Sequence, residues 1–346
     1  MTETETRDLR ELINTEAVTF SGLMTDALDI QDDCRDYVVS NVSSKNMGFS
    51  SSTCKLGYIP DELSVTHVRE MTNHSMGQLC AKLGIPARYI DKCIDTGRLD
   101  LAADNMNSWI EDYGKDLFIR EYKDTVRGVL SSRYSVLDTP DVLSVLVDVF
   151  GNDIRDYRIK GSFLTPERFH ARIVQNEMMN IAGEDLFAGI QIDSSDVGRS
   201  VLEVKFMIFK QVCTNGLTIS KGGGVLFRQK HLGIDPIVFR DNFKESMSRL
   251  PLLIEHSKEL IEYARKDSDT YKTVDLSEEQ LKSFIENIKL KTHLSDNGVE
   301  KVISLMNDNY GTSTWGFINS LTEVAQDYTL ERRLEIEKYA GDLLVA

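Results

Sequence analysis

The sequence is poor in the residues and motifs that usually announce a chemistry. Its 346 residues hold five cysteines, six prolines and two tryptophans. Cys34, Cys54, Cys80, Cys93 and Cys213 are odd in number and scattered, with no CxxC pair, which argues against a disulfide framework or a zinc ribbon. HExxH, a Walker loop and a GxGxxG after a strand are all missing. No stretch approaches the roughly 20 apolar residues that cross a bilayer. The opening MTETETRDLREL is acidic, where a secretory signal needs a basic end and an apolar run. The expectation is a cytoplasmic protein with no membrane partner and no cofactor. Positive charge is scarce as well: 40 Lys and Arg stand against 55 Asp and Glu, a net charge of −15. That balance excludes a protein that coats nucleic acid with its whole surface, because phosphate binding depends on local positive charge.

What is present is a core-forming composition, 41% hydrophobic and 27% charged. A chain of this length hides roughly 75% of its unfolded surface on folding. Residues 1–58 carry clustered acids and Ser-rich stretches such as SNVSSKNMGFSSST, which predict an acidic, partly irregular segment. Residues 59–346 predict a single domain: helices over 59–114, a sheet region over 115–235 and a helical region over 236–346. Pro60, Asp61 and Glu62 precede apolar residues at spacings of three and four, the start of a helix. Near Leu117 the period changes to two, and KDT splits the alternating runs of DLFIREYKDTVRGVLSSRYSVLD into a hairpin. Asp138 or Thr139 then caps a helix that begins at Pro140. Leu202, Val204, Phe206 and Ile208 alternate with Glu203 and Lys205 as on a half-buried strand. Ser277 and Gln280 form a capping box, and Gly311 and Gly341 mark helix ends. The fold class is α+β, with N-terminal helices, a central mostly antiparallel sheet with one crossing helix, and a C-terminal helical bundle.

Single residues give little chemistry. KGGG at Lys221–Gly224 has its lysine before the glycines, the reverse of a phosphate-binding P-loop, and fits a flexible connection. Asn215-Gly216 is a hairpin-turn signal. Cys213 is a nucleophile only beside a base, of which His231 is the nearest in sequence, and it otherwise packs as a small hydrophobe. An enzyme built on Cys213, His231 and His170 is the least supported option. Glu167 and His170 are half of a carboxylate and histidine metal motif whose second copy is missing. His67 and His74 fall seven apart on the expected helix, and Asp29, Asp32, Asp33 and Asp36 read as a solvated acidic run. No metal is expected.

Charge distribution is more informative. From Arg199 to Lys230 six bases face one acid, while the first 36 residues carry ten acids against three bases. Lys205, Lys210, Lys221, Arg228 and Lys230, joined by Arg127, Arg133 and Tyr134 of the earlier hairpin, are candidate nucleic-acid contacts. On one sheet they would line a groove with an aromatic among cations, as single-strand binding requires.

TNHSMGQLCAKLGIPARYID, AADNMNSWI, RGVLSSRYSVLD, GIQIDSSDVGRSVLEV, VCTNGLTI, WGFINSLTEVAQ and ERRLEIEKYAGDLL follow one another from about residue 65 to the C-terminus. In their order and number the chain resembles the phage and plasmid protein family called domain of unknown function 932. The resemblance implies a mobile-element origin and work in a bacterial host cytoplasm, and it implies no catalytic residue. Two readings stay open. One is an accessory of phage replication or recombination that binds single-stranded DNA, as a homo-oligomer in the annealing case. The other is a protein-interaction or counter-defence factor that acts on a host or phage protein without binding nucleic acid or catalysing a reaction.

Overall fold

The computed structural model describes residues 19–151, 157–181, 184–210, 215–218, 224–233, 235–266 and 277–345. Thr19 caps the first helix, α1 (Phe20–Asp32), its Oγ1 accepting from the Gly22 N–H at 3.0 Å. Strand β1 (Cys34–Val39) follows at once. Three short strands, β2 (Met47–Phe49), β3 (Leu56–Tyr58) and β4 (His67–Met71), form a meander in which each pairs antiparallel with the next. The hairpin read around KDT is present as β5 (Leu117–Tyr122) and β6 (Thr125–Ser131), and these complete a six-stranded sheet in the order β1-β5-β6-β4-β3-β2. The β4–β6 pair is parallel.

Two expectations are corrected here. The segment 1–58 supplies three strands of this sheet, so the boundary expected after residue 58 falls between the paired β3 and β4. The helix expected from Pro60 is a turn followed by β4. A buried carboxylate accounts for the strand. Glu121 of β5 is 1% exposed and accepts from the Tyr58 hydroxyl at 2.5 Å, with Arg69 Nε at 2.8 Å and the His67 ring at 3.6 Å. Bringing His67 and Arg69 to the same carboxylate requires the period of two of a strand, and this tertiary demand overrides the local helical spacing.

The helix begins instead with Thr72 as N-cap, giving α2 (Asn73–Leu83), which ends at Gly84 in the left-handed region (φ 74). It lies along β6 beyond the end of β4. The Ser75 hydroxyl donates to the Val126 carbonyl at 2.7 Å, and the Gln78 side-chain oxygen accepts from the Val129 N–H at 2.8 Å. Helices α3 (Ala87–Asp95) and α4 (Leu99–Glu111) are where the sequence placed them. Asn107 of α4 grips β2, accepting from Phe49 N at 2.6 Å and donating to Phe49 O at 3.0 Å. Leu79, Ile90, Met106, Ile119 and Val129 lie in this first core.

The expected single sheet is in fact two. After α5 (Thr139–Phe150), the antiparallel strands β7 (Tyr157–Leu164), β8 (Phe169–Ile181), β9 (Glu184–Ser194) and β10 (Leu202–Lys210) build a second sheet. The outer edge of β10 is shared, β12 (Val225–Gln229) pairing with its first half and β11 (Asn215–Thr218) with its second. The expected alternation is present, with Leu202, Val204, Phe206 and Ile208 buried. Met207 and Phe209 are buried too, in a small separate cluster with Val174 and Phe187. Asn215 and Gly216 pair with Lys210 and Phe209, so they are the first residues of the returning strand and not its turn.

The rest of the chain is helical: α6 (Pro236–Met247), α7 (Leu250–Lys266), α8 (Glu278–Thr292), α9 (Asp296–Leu305), α10 (Thr314–Val324) and α11 (Leu330–Leu344). The Ser277 and Gln280 capping box is formed in both directions. A π-helical turn, Met306–Tyr310, extends α9 and ends at Gly311 (φ 79), whereas Gly341 lies inside α11. Helix α10 is buried on nearly every side, and Glu337 of α11, fully buried, pairs with Arg333 at 2.8 Å and with Arg172 of β8. The α+β class holds. No helix of the described residues is long and apolar enough to cross a membrane. The two cores interlock along the chain, because Leu23 and Ala27 of α1 pack in the second core although β1 belongs to the first sheet.

Gly189 tests the second sheet. It faces Val174 across the β8–β9 ladder, and a Cβ there would lie 2.3 Å from the Ile173 carbonyl oxygen and 2.9 Å from Val174 Cα. Gly189→Ala is expected to cost about 1–3 kcal/mol, the usual range for overpacking, read as a lower urea midpoint. An unchanged midpoint would contradict this close approach.

A cation-lined cleft at the joint of the two sheets

The joint is organised by one buried guanidinium. Arg120 of β5 is 1% exposed. Its Nε and Nη2 donate to Asp36 of β1 at 2.8 and 2.9 Å, its Nη1 and Nη2 to Asp138 at 2.7 and 2.8 Å, and its Nη1 also to the Asp196 carbonyl at 2.6 Å. All five N–H groups of the fork are thereby used. Burial works against its charge, yet Asp138 and Asp36 hold its pKa above the ordinary arginine range. Asp138 is also the N-cap of α5, and Thr139 Oγ1 donates to Asp196 Oδ1 at 3.1 Å. Arg127 of β6 donates to the Pro166 carbonyl and lies 3.7 Å from Asp196 Oδ2. Burial, then the neighbouring Asp138 charge, raises the pKa of Asp196, against the pull of Arg127 and Arg120.

Tyr134 and His231 close this network. The Tyr134 hydroxyl donates to the Asp196 carbonyl at 2.8 Å. Its ring is stacked on that of His231, 5.5 Å away and nearly parallel at 4°, and lies 6.2 Å from that of Phe118. His231 is 5% exposed, and neither ring nitrogen has a hydrogen-bond partner among the described residues. Burial pushes its pKa down to about 4, so the imidazole is neutral at pH 7. The Ser135 N–H donates to the His231 carbonyl at 3.1 Å, which fixes the segment after β12 beside the hairpin.

Next to the joint lies a cleft of about 580 Å³. Helix α2 contributes Gln78 and Lys82, β6 contributes Val129 and Leu130, the turn after β9 contributes Gly198 to Val201, and the segment after β12 contributes Lys230 to Leu232. Among the described residues Lys82, Arg199 and Lys230 are its charged ones, and none of these residues lining it is a carboxylate. Burial and the positive charge of Lys115 both lower the pKa of Lys82, so Lys115 adds to the same field. Leu117 pairs with Ser131, which places Lys115 and the exposed Arg133 at this end of the first sheet.

The turn after β9 is fixed by its side chains. Ser195 Oγ accepts from Arg199 N at 2.9 Å and donates to the Glu167 carbonyl at 2.7 Å, while the Gln78 amide donates to the Val197 carbonyl at 2.8 Å. Gly198 sits at φ 71 with no room to spare, since a Cβ would meet Leu130 at 3.0 Å. Arg199 is shared with Glu167 at 3.0 Å, whereas Lys82 and Lys230 have no ion-pair partner among the described residues. A concave surface with three cations, an apolar floor and no lining acid among the described residues is suited to holding an anion.

The basic residues read from the sequence do not form one groove. Lys230 and Tyr134 line the cleft and Arg133 lies near it. Arg127 is 1% exposed and belongs to the joint, so it cannot meet a ligand from solvent. Tyr134 is half-buried, and its ring is already stacked on that of His231. Lys205 pairs with Glu203 at 2.5 Å, and Arg228 approaches the same carboxylate at 3.9 Å. Lys210 is committed to Glu184 and Asn319, both at 3.1 Å, and lies over the Tyr310 ring. Strand alternation places Lys205 and Lys210, five residues apart, on opposite faces of β10. Lys221 and Cys213 lie outside the described residues.

The remaining candidates have local partners. His170 Nδ1 lies 2.8 Å from Asp193, and Glu167 serves Arg199, so Glu167 and His170 are not paired as metal ligands. His67 is in β4 and His74 in α2, not on one helical face. Among the described residues no group of three or more His, Cys, Asp or Glu is placed to hold a metal ion. Lys82 and Lys115 carried no signal in the sequence, since only the packing of α2 along β6 brings them to the cleft. Arg199 opened the basic run but was not among the candidate contacts.

A family model described as Domain of unknown function (DUF932) matches residues 126–340. The match takes in β6, Arg127, Asp138, Asp196, the second sheet and most of the helical region. It begins later than the resemblance read from about residue 65, so the stretches from Thr72 to Ile110 precede it. No curated protein and no solved structure matches the chain.

His231 gives the joint a pH signature. A histidine held neutral by burial contributes stability that is present above its unfolded pKa of about 6.5 and is lost as pH falls towards its folded value of about 4. Asp196 acts in the opposite sense, because a raised carboxyl pKa makes the fold retain a proton and lose stability as pH rises. The two slopes oppose each other in wild type. The difference between wild type and His231→Phe isolates the histidine: relative to wild type, the variant should gain stability on acidification from pH 6.5 to 4, by at most about 1.4 kcal/mol per pH unit. Chemical unfolding at four pH values measures it, and a difference that does not vary with pH would contradict the buried neutral imidazole.

Proposed function

The chain belongs to this family of unknown function, and from its own geometry we propose that it binds the phosphate backbone of single-stranded nucleic acid in the cleft between its sheets. The role that fits is an accessory in phage replication or recombination, in keeping with the mobile-element origin that the resemblance implies. One observation carries the reading. On a chain of net charge −15, Lys82, Arg199 and Lys230 converge on one concave surface that no carboxylate of the described residues lines. Such a surface concentrates polyanions even when the whole molecule repels them.

The cleft volume of about 580 Å³ falls within the usual span of ligand sites, roughly 300–1,000 Å³. It suits a short stretch of one strand and not the width of a duplex. Contacts to phosphate position a strand without reading its bases. Tyr134 lines the cleft half-buried with its ring already stacked on His231, so the reading rests on the cations and not on base stacking.

Fluorescence anisotropy with a labelled oligo-dT, at two salt concentrations, tests the proposal. Binding is expected at low salt and should weaken as salt rises. Lys82→Glu combined with Lys230→Glu should weaken it at least tenfold and flatten the slope of log K against log salt by roughly 1.4, two contacts at about 0.7 each. Lys205→Glu, already neutralised by Glu203, should leave binding unchanged. No binding at low salt, or equal binding by the double variant, would refute it.

A further inference from the structure

The wall of the cleft holds two polar side chains that the fold leaves unsatisfied. His231 is 5% exposed, and neither ring nitrogen has a hydrogen-bond partner among the described residues; Ser200 Oγ is buried without one as well. Both residues line the cleft beside Lys82, Arg199 and Lys230. Buried polar groups in folded proteins are nearly always paired, and one left unpaired points to an ion, a water or a ligand that completes it. Other polar groups of the same wall have structural duties. The Tyr134 hydroxyl donates to the Asp196 carbonyl, and the Gln78 side chain holds the Val197 carbonyl and the Val129 N–H.

The charges around His231 are accounted for. Burial keeps the imidazole neutral at pH 7, with Asp138 and Arg120 pulling on it in opposite directions from the joint, where they bond each other. Glu167 shares Arg199 but does not line the cleft. On the cleft side His231 therefore has cations for company: Lys230 next to it in the chain, Lys82 from α2 and Arg199 from the turn after β9. A neutral imidazole donates from one nitrogen without adding a further positive charge to that set.

This set suits a single phosphorus that carries more than one charge. An internal phosphodiester brings one negative charge and two free oxygens, and the cations that follow a backbone are spread along a track. A phosphate monoester brings about −1.5 to −2 at neutral pH and three strong acceptor oxygens. Here three cations from three separate elements, with a hydroxyl and an imidazole, gather on one cleft of about 580 Å³. Charged donors to phosphate oxygens make the stronger class of hydrogen bond. With the Tyr134 ring already stacked on His231, recognition falls on the phosphate and not on a base.

We propose that the cleft is a phosphate-monoester site, in which the terminal phosphate of a nucleic-acid strand seats against His231 and Ser200 while Lys82, Arg199 and Lys230 neutralise it. The orphaned atoms lie beneath the surface of the wall, so the ligand meets them through a small shift of the segment Lys230–Leu232, whose Leu232 is 53% exposed. The strand as the source of the phosphate rests on the reading given above, whereas the monoester site does not.

Anisotropy with three internally labelled oligo-dT strands, carrying a 5′-phosphate, a 3′-phosphate or hydroxyls at both ends, tests the proposal and tells the two ends apart. Calorimetry with thymidine 5′-monophosphate against thymidine tests the site without a strand. At least one phosphorylated strand should bind at least about tenfold tighter than the hydroxyl strand, and the monophosphate should bind where thymidine does not. His231→Phe and Ser200→Ala should each bring that ratio down towards one, with urea midpoints showing that both variants fold. A ratio unchanged in both variants overturns the part given to His231 and Ser200. Equal binding by all three strands overturns the terminal phosphate as the contact, and if the monophosphate also binds no better than thymidine the site falls with it. A hydroxyl strand that still binds then leaves the strand-binding reading standing. A monophosphate that binds where no strand does refutes that reading and leaves the site.

Discussion

A guanidinium taken out of water must have every N–H satisfied, and the placement of both sheets follows from how Arg120 meets that demand. Its acceptors come from β1, from the cap of α5 and from the turn after β9, segments separated by up to 160 positions. No two of these could shift without stranding a charge in a dry site, and removing one partner of a buried pair commonly costs about 3–5 kcal/mol. The turn that bears Arg199 is held by this arrangement, as is Tyr134 and, through it, His231. The cleft is thus a by-product of an internal electrostatic constraint. Asp36, Asp138 and Asp196 are engaged with Arg120 and Arg127 on the inner side, while Glu167 pairs with Arg199 of the cleft.

Much of the local structure was legible in the sequence, and for local reasons. The KDT hairpin, the helix cap at Asp138, the alternation in β10 and the capping box at Ser277 each depend on residues within a few positions of one another. Where distant partners decide the outcome, the same rules failed. The segment from Pro60 has helical spacing, yet Glu121, more than fifty residues later, draws His67 and Arg69 into a strand. Residues 34–58 lack strong periodicity because their strands are short, and β1 and β3 are held by β5 and β4 from later in the chain.

The basic run from Arg199 to Lys230 shows the same limit in the site itself. Counting charge along the chain treats neighbours in sequence as neighbours in space, but a strand sends successive side chains to opposite faces. Lys205 and Lys210 diverge and find Glu203 and Glu184. The surface where positive charge does accumulate draws one lysine from a helix, one arginine from a turn and one lysine from a strand end. Only Arg199 and Lys230 belong to the run, at its two ends, and the fold folds those ends together. Lys82 was invisible because a lysine near a helix C-terminus is ordinary on its own.

Helix α2 has a bearing on how this protein meets others. An uncovered strand edge is a template on which any extended chain can continue the ladder. Beyond the end of β4, that edge of β6 is occupied by Ser75 and Gln78, which bond the carbonyl of Val126 and the N–H of Val129 as a neighbouring strand would. The first sheet is therefore closed at its middle to backbone-mediated addition, and polymerisation by strand exchange has no foothold there. Recognition on this side of the molecule is left to side chains, whose charge and shape discriminate between partners in a way that a bare ladder of amides does not.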